Sequence, residues 1–540
     1  MSEEPLQRAW RFFREGRLDE SRRIADRLLE LNPADPQVRL LDGLICARQG
    51  RLDEAEANLT ASLHAQRSYS VLLSLGELYL LMGEPVKAEQ FLLEAIEQQP
   101  EAERARTTLA NVYAHQGRHE QAVEYYRWTV DKGLADASVF GNMALSLEML
   151  RKHDEARHAA QESLKRDANC PAAHLVLARL DRVSRNVGDS LSRLQQAIAY
   201  HQNTIEGANL LSEFGHALDL SGDYGKAFEA FDRANRIWQA VAQRAPFGKE
   251  LYLQRIEDFQ ELLVLPAREL AEDDFGAHLV FFVGFPRSGT TLVEQVLKTL
   301  PDIATTQEEP LITNLAVQLT GGNCNAGAYP ALLDRLSGRD MEKLRNLYIG
   351  ELLRVTESDG TQTLYIDKLP LNIIETVFIH RLFPAARFLV AQRDPRDVCL
   401  SCFMQSFRLN PAMIHFLDLK DTANFYAATM ALWNRCKEVL VDLRYLEYRY
   451  EDLVTDFDTV SKRILAFVGA EWTPDVREFH RQAGERVIRT PSFIDVASPL
   501  YTRAVERWKH YEDQLRPVSG ILGPFVEQFG YTVRCGRDGQ

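Results

Sequence analysis

Small and apolar residues recur along the first half of the chain at a nearly constant interval. Seven turn positions lie 33 to 37 residues apart, and each has a small residue seven places before it and another five places after it. The turn positions are Gly16, Gly50, Gly83, Gly117, Arg151, Arg185 and Gly222. This interval predicts two antiparallel helices per repeat, because paired small residues let helix axes approach closely. Glycine suits the turn since it adopts a left-handed backbone at low cost.

The small residues themselves extend through the whole array. Those before the turns are Ala9, Gly43, Gly76, Ala110, Ala144, Ala178 and Gly215. Those after the turns are Ser21, Ala55, Ala88, Ala122, Ala156, Ser190 and Ala227. The pattern resembles the tetratricopeptide repeat and covers residues 3–240 as about seven units. The resemblance implies an α-helical superhelix whose concave surface binds peptides or partner proteins, or one that only spaces or dimerises the protein.

Short apolar runs replace the helical period in the second half of the chain. They are His278–Val283, Leu364–Ile366, Arg387–Gln392 and Tyr445–Tyr448. The helical patterns that follow them are Thr290–Leu300, Asn372–Leu382, Arg396–Phe403 and Val454–Val468. This alternation predicts a central parallel sheet covered by helices on both faces, with ligands at the carboxyl ends of its strands. We therefore expect a connecting helix or linker over 241–276 and an α/β domain over 277–535.

Composition and charge exclude several classes of protein. The chain has 540 residues, of which 45% are hydrophobic and 26% charged, so it is neither collagenous nor wholly disordered. It lacks an apolar run of the roughly 20 residues that a membrane span needs, and its first residues are charged, which predicts a cytoplasmic protein. Seven scattered cysteines argue against a disulfide framework. A net charge of −14 disfavours nucleic-acid binding, so an anionic ligand requires a local basic pocket.

A phosphate-binding loop follows the first predicted strand. Residues 284–291 read Gly-Phe-Pro-Arg-Ser-Gly-Thr-Thr, a G-x-x-x-x-G frame followed by hydroxyl residues. Backbone N–H groups in such a loop, together with the helix N-terminus, bind an anion. A Walker A loop has lysine after its second glycine, where this chain has Thr290, and Arg287 supplies positive charge instead. The 13 histidines show no paired metal-ligand spacing, and no metal is predicted.

A second anion-binding motif follows the third predicted strand. Residues 393–401 read Arg-Asp-Pro-Arg-Asp-Val-Cys-Leu-Ser, which places Arg393 at the strand end and Ser401 about two turns into the next helix. Together these two side chains are candidates for binding a second phosphate. Cys399 and Cys402 form a single CxxC without a second pair, which is typical of structural thiols rather than a zinc site.

The two motifs, in this order, resemble those of the sulfotransferases that use 3′-phosphoadenosine 5′-phosphosulfate. The resemblance covers residues 277–535, a P-loop-like α/β domain, and is nearest to tyrosylprotein sulfotransferases and to bacterial proteins that fuse tetratricopeptide repeats to such a domain. It implies a 5′-phosphosulfate site formed by Pro286, Arg287, Ser288, Gly289, Thr290 and Thr291. It also implies that Arg393 and Ser401 bind the 3′-phosphate and that Tyr450 lies near the nucleotide.

The same resemblance assigns catalytic roles. Glu308 corresponds to the general base, with Glu309 as the alternative, although two adjacent loop carboxylates would otherwise be read as solvated. Arg287 and Lys368 would stabilise the negative charge that develops on the leaving phosphate and the sulfuryl oxygens. Ser492 corresponds to a serine near the phosphosulfate.

The sequence thus predicts an enzyme that transfers a sulfuryl group from this nucleotide to a hydroxyl, with a peptide or protein tyrosine as the acceptor, held by the repeats. Carbohydrates and small phenols remain alternative acceptors. The alternatives of another class are a P-loop kinase or nucleotidase and a catalytically idle repeat scaffold.

Overall fold

A computed structural model of the protein describes residues 4–245, 247–264, 274–321, 329–358, 360–479 and 504–532. The chain divides into two compact units, Met1–Ser184 and Arg185–Gln540. No helix among the described residues is long and apolar enough to cross a bilayer.

The first unit consists of helices joined by short turns. Its helices are α1 (Pro5–Arg14), α2 (Leu18–Leu31), α3 (Pro36–Arg48), α4 (Leu52–Ala65), α5 (Tyr69–Leu81), α6 (Pro85–Gln98), α7 (Glu103–His115), α8 (His119–Asp131), α9 (Ala137–Met149), α10 (His153–Arg166) and α11 (Pro171–Val183). Each of the first ten packs against its partner across the predicted turn, as α5 does against α6. The predicted tetratricopeptide-repeat fold is confirmed.

The small residues predicted at the helix contacts are all buried. The reason is steric where the residue is glycine. A Cβ atom on Gly43 would lie 2.8 Å from Leu59 Cγ, and one on Gly76 would lie 2.5 Å from Leu92 Cγ. These distances are below van der Waals contact, so the leucine of the second helix fills the space that a side chain on the first would need.

All seven turn positions adopt a left-handed backbone, including the two that lack glycine. Arg151 has φ 59° and Arg185 has φ 58°, close to the 76° of Gly83. The register of these two repeats is therefore the one that the spacing predicts. A side chain at such a backbone angle costs about 1–2 kcal/mol relative to the right-handed region.

Replacing Arg151 with glycine should therefore stabilise the repeats by about 1 kcal/mol. Glycine removes the cost of the left-handed backbone, and this gain is partly offset because glycine makes the unfolded chain more flexible. Urea unfolding followed by circular dichroism measures the change. Gly83→Ala is the matched control, because it introduces a Cβ at the equivalent angle with no neighbouring atom within 4 Å, and it should destabilise. A loss of stability in Arg151→Gly would contradict the backbone argument.

The second unit contains helices around one sheet. Its elements in chain order are α12 (Gly188–Tyr200), α13 (Ile205–Leu220), α14 (Tyr224–Ala242), α15 (Glu250–Leu262), β1 (Leu279–Gly284), α16 (Thr290–Leu297), β2 (Ile303–Thr305), α17 (Leu311–Leu319), α18 (Tyr329–Leu332), α19 (Gly338–Val355), β3 (Leu364–Lys368), α20 (Thr376–Leu382), β4 (Arg387–Gln392), α21 (Pro395–Phe403), α22 (Leu419–Val439), β5 (Arg444–Arg449), α23 (Tyr450–Thr455), α24 (Phe457–Val468), α25 (Glu512–Leu515) and α26 (Ser519–Gln528).

The five strands are all parallel and lie in the order β2-β3-β1-β4-β5. Every residue of β1 is buried, as expected for a central strand covered on both faces. The predicted parallel sheet is confirmed, and the four predicted strands are β1, β3, β4 and β5. The prediction missed β2, because its three residues are too short to form an apolar run. The predicted helix over 454–468 is divided into α23 and α24.

The chain order of the strands brings the motifs to one edge of the sheet. From β1 the chain passes to β2 and β3 on one side, and it then crosses to β4 on the other side of β1. The loop after β1, Lys368 at the end of β3 and Arg393 directly after β4 thus share the carboxyl edge of three neighbouring strands. This is where open α/β sheets bind their ligands.

Helices α13, α14 and α15 pack on the sheet-containing part of the second unit. Asn235 Nδ2 of α14 donates to the carbonyl of Phe403, 2.9 Å away at the end of α21. Arg255 of α15 forms a buried ion pair with Glu375 at 2.8 Å. The predicted boundaries at residues 240 and 276 stay predictions, but the compact unit itself begins earlier, at Arg185.

Candidate active site

The loop after β1 has the backbone of an anion-binding loop. Arg287 has φ 71° and Gly289 has φ 91°, and α16 begins at the next residue. A side chain on Gly289 would collide with the ring of Tyr450, which explains glycine there. Ser288, Thr290 and Thr291 are buried around the helix N-terminus. The positive end of the α16 dipole and the loop N–H groups therefore lie at the carboxyl end of β1.

The two predicted anion-binding motifs contact each other directly. Arg287 Nε donates to Ser401 Oγ at 3.0 Å. Arg393 Nη1 donates to the carbonyl of Arg287 at 2.9 Å, and its guanidinium carbon lies 5.2 Å from the centre of the Tyr450 ring. Arg393 is 7% exposed, so its charge is held close to the loop rather than in solvent. Two arginines from two neighbouring strands thus converge on one site.

A segment near the C-terminus covers Arg393. Its second Nη atom donates to the carbonyl of Ala504. Asp397 of α21 accepts the N–H groups of Glu506 and Trp508 at 2.8 and 2.7 Å, and burial raises the pKa of Asp397 to about 6 although Arg393 opposes the shift. Trp508 packs against α21: its ring centre lies 3.5 Å from the guanidinium carbon of Arg396.

Lys368 at the end of β3 is enclosed by carboxylates. Its side chain is 0% exposed, and Nζ contacts the Glu308 carboxylate and Glu294 Oε2, the latter at 3.1 Å. Burial of the ammonium group acts to lower the pKa of Lys368, but the carboxylates of Glu294 and Glu308 outweigh it and raise the pKa above its usual value. Lys368 is therefore charged and oriented by two partners.

Glu294 is a site residue that the sequence analysis missed. It lies on the buried face of α16, where its other oxygen contacts Lys298 Nζ at 2.8 Å and accepts from Thr305 Oγ1 at 3.3 Å. Burial alone would raise its pKa, but the two lysines lower it. A signal was present in the sequence, because a carboxylate between Val293 and Val296 in an apolar helix requires a buried cation.

The geometry distinguishes Glu308 from its neighbour Glu309. Glu308 has φ 68°, and its N–H donates to the carbonyl of Lys368 at 3.0 Å. This strained backbone directs the Glu308 carboxylate to Lys368 while leaving it 32% exposed. Glu309 instead donates its N–H to the carbonyl of Thr306 at 3.2 Å. Glu308 is thus the carboxylate that contacts both the buried lysine and solvent.

Asp367, next to Lys368 on β3, takes part in a buried hydrogen-bond network that includes the backbone of Lys368. It accepts hydrogen bonds from Tyr348 Oη at 2.8 Å and Thr306 Oγ1 at 3.5 Å, and Thr306 Oγ1 in turn accepts the N–H of Lys368 at 3.1 Å. Burial raises the pKa of Asp367 from 3.8 to about 7, although these hydrogen bonds act to lower it.

The raised pKa of Asp367 predicts a pH dependence of stability. The folded state binds this proton more tightly than the unfolded state, so the free energy of unfolding should fall as pH rises between the two pKa values, by about 2 kcal/mol from about pH 5 to 7. Asp367→Asn should remove that part of the slope, as measured by urea unfolding at each pH. If the free energy of unfolding changed equally with pH in the wild type and in Asp367→Asn, Asp367 would not be the group responsible.

The remaining predicted residues lie as follows. Ser492 lies outside the described residues. Pro286 is buried, and its carbonyl accepts from Cys402 Sγ at 3.4 Å. Cys399 and Cys402 are both 0% exposed, and burial raises the pKa of each thiol, which agrees with a structural role.

The fold and the candidate site define a class of protein: a parallel α/β domain with a candidate anion-binding loop after its first strand, preceded in the chain by helical repeats. Comparison with known proteins identifies the families that the two regions resemble. Residues 280–474 match the model of the sulfotransferase family, and residues 6–69, 49–103 and 73–133 match that of the tetratricopeptide repeat. The chain therefore has a sulfotransferase-family domain and tetratricopeptide repeats.

Individual relatives are distant. An uncharacterized protein of Aquifex aeolicus (strain VF5) is 27% identical over 316 residues, which are 56% of this chain and 40% of that protein, so the match spans less than half of the relative. Protein-tyrosine sulfotransferase 2 of Gallus gallus is 25% identical over 267 residues, 47% of this chain and 69% of the relative. A tetratricopeptide repeat protein structure from Parabacteroides merdae is 18% identical with a TM-score of 0.37, covering 43% of this chain and 92% of that one.

Proposed function

We propose that the second unit transfers a sulfuryl group from 3′-phosphoadenosine 5′-phosphosulfate to the hydroxyl of a peptide or protein tyrosine. The observation that carries the proposal is the convergence of Arg287 and Arg393 at one sheet edge, linked by the hydrogen bond to the Arg287 carbonyl. A nucleotide with phosphates at both its 5′ and 3′ positions needs two adjacent cationic sites of this kind.

The residues of the loop fit the 5′ end of such a donor. The N–H groups of residues 287–291 and the N-terminus of α16 would bind the 5′-phosphate oxygens, with Arg287 adding a charge-assisted hydrogen bond. Arg393 and Ser401 would bind the 3′-phosphate, and Pro286 and Tyr450 would shape the pocket between them. In this arrangement Arg287 Nε exchanges its hydrogen bond to Ser401 for one to the nucleotide.

The reaction requires a base and a cation near the transferred group. The acceptor oxygen attacks sulfur, a new O–S bond forms, and the S–O bond to the 5′-phosphate breaks to release adenosine 3′,5′-bisphosphate. Glu308 takes the hydroxyl proton, since its carboxylate is partly exposed. Lys368, with Arg287, stabilises the charge that develops on the sulfuryl and leaving oxygens, and Glu294 keeps Lys368 charged and in place. Ser492 belongs to this proposal by resemblance only.

The choice of a tyrosine acceptor rests on two observations. Relatives such as that of Gallus gallus are named protein-tyrosine sulfotransferases. Tetratricopeptide repeats generally present surfaces that bind peptides or proteins. Both favour a polypeptide acceptor over a carbohydrate or a small phenol.

The test is transfer of labelled sulfate from the donor to a panel of acceptors. A tyrosine-containing peptide should be labelled, and the same peptide with phenylalanine in place of tyrosine should not. Labelling of a glycan or a small phenol alone would overturn the acceptor. Magnesium-dependent hydrolysis of ATP without sulfate transfer would indicate a kinase or nucleotidase, and failure to bind adenosine 3′,5′-bisphosphate would indicate an idle scaffold.

A further inference from the structure

We propose that Asp219, at the end of α13, is a positioning residue for Arg393. This inference rests on the proposed function, because it takes Arg393 as the ligand of the 3′-phosphate. It assigns the last pair of repeat-type helices, α13 and α14, a part in nucleotide binding in addition to any role in holding a partner. The connection runs through the segment of residues 504–511, which lies between Asp219 and Arg393.

Asp219 fixes one side of this segment. Its carboxylate contacts Arg507 through Nε at 3.2 Å and Nη2 at 2.8 Å, a bidentate and charge-assisted pair. The same carboxylate accepts from Tyr511 Oη at 2.6 Å, and Tyr511 is 0% exposed. The ring of Tyr224, in the first turn of α14, stacks on His510 with 4.3 Å between ring centres. The turn between α13 and α14 therefore holds residues 507–511 at several points.

The other side of the segment faces the proposed 3′-phosphate site. The N–H groups of Glu506 and Trp508, which flank Arg507 in sequence, both donate to Asp397. Asp397 Oδ2 lies 4.0 Å from Arg393 Nη2, and Arg393 also donates to the carbonyl of Ala504. Arg507 is therefore held by Asp219 through its side chain, while its two backbone neighbours are held by the residue that faces Arg393.

Loss of the Asp219 carboxylate should loosen the packing of residues 504–511 on Arg393. The buried Asp397 would then lose its fixed N–H donors, and Arg393 would lose the fixed position of one of its two carbonyl acceptors, that of Ala504. More rotamers would become available to the guanidinium group. The 3′-phosphate would be bound by a less ordered arginine. The 5′-phosphate should be affected less, because the loop of residues 284–291 binds it through its own N–H groups and the N-terminus of α16. Arg393 contacts this loop through one hydrogen bond, to the carbonyl of Arg287.

The experiment compares two nucleotides by calorimetry on the 540-residue chain. The ratio of the dissociation constants of adenosine 5′-monophosphate and adenosine 3′,5′-bisphosphate measures what the 3′-phosphate contributes. In Asp219→Ala this ratio should fall about tenfold, with a smaller change in the affinity for the monophosphate. The matched control is Asp232→Ala on α14, whose carboxylate pairs with Arg236 of the same helix at 2.7 Å. It should keep the wild-type ratio.

The outcomes separate this inference from the proposed function. Failure of the wild-type protein to bind the bisphosphate more tightly than the monophosphate would overturn the proposed function. A wild-type ratio in Asp219→Ala, with normal binding by the wild type, would overturn the positioning role alone. If Asp219→Ala does not fold, Arg507→Lys replaces it: this variant keeps the charge but loses the bidentate geometry, and its ratio should fall in the same direction. An equal loss of affinity for both nucleotides would indicate a merely structural role.

Discussion

Glu308→Gln is expected to lower kcat for sulfuryl transfer by about 10²–10⁴-fold, with the affinity for the donor nucleotide near that of the wild type. Glutamine keeps the size of the side chain and still presents an oxygen to Lys368, but it cannot accept the proton of the acceptor hydroxyl. The strained backbone at Glu308 indicates that the position of this carboxylate matters, since a left-handed non-glycine residue is unfavourable unless its surroundings fix it.

Single-turnover transfer with labelled donor and saturating acceptor measures this effect free of product release. Glu309→Gln is the matched control, because it removes the adjacent carboxylate, which forms no ion pair with Lys368 within the part of the chain that the structure describes. It should keep kcat within a few-fold of the wild type. If Glu309→Gln loses activity and Glu308→Gln does not, the assignment of the base is reversed. If both stay fully active, neither carboxylate is the base.

Arg255→Met is expected to lower the free energy of unfolding of the second unit by about 3–5 kcal/mol. Both partners of the Arg255–Glu375 pair are 3% exposed, so the variant would leave Glu375 as a buried carboxylate without its cation. Burial already raises the pKa of Glu375 despite Arg255. Arg255 also packs over the ring of Tyr329, with 5.3 Å from the guanidinium carbon to the ring centre, and methionine only partly replaces this contact.

Urea unfolding followed by tryptophan fluorescence measures this change. The double variant Arg255→Met with Glu375→Leu should recover most of the stability, because two apolar side chains replace a buried pair of charges. Arg354→Met is a control for loss of an ion pair at the surface, since Arg354 and Glu351 are both exposed, and it should unfold close to the wild type. Equal effects of Arg255→Met and Arg354→Met would show that the buried pair is not the cause.

The sequence predicted most accurately those features that depend on local spacing. The repeat helices follow from small residues and turns at a fixed interval, and even Arg151 and Arg185 keep the left-handed angle that the interval requires. The parallel sheet follows from buried apolar runs that alternate with helices. The loop of residues 284–291 and the motif of residues 393–401 were found because each follows a strand whose end could be predicted.

Features that depend on long-range contacts were not predictable in the same way. Asp219 and Arg507 are 288 positions apart, and neither lies in a recognisable motif. The pairing of Lys368 with Glu294 depends on how α16 packs against β3, which the sequence pattern does not specify. The sequence suggested that Arg287 binds the 5′-phosphosulfate and Ser401 the 3′-phosphate of the nucleotide. In the structure the two side chains also form a hydrogen bond with each other. Strand order explains this, because β1 and β4 are neighbours.

A crystal structure of the 540-residue chain with adenosine 3′,5′-bisphosphate would test most directly whether one nucleotide bridges the two motifs. We expect the 5′-phosphate within hydrogen-bonding distance of the N–H groups of residues 287–291, and the 3′-phosphate on the guanidinium group of Arg393 and the hydroxyl of Ser401. A nucleotide bound at this edge with its 3′-phosphate in solvent, or bound elsewhere on the second unit, would contradict the account.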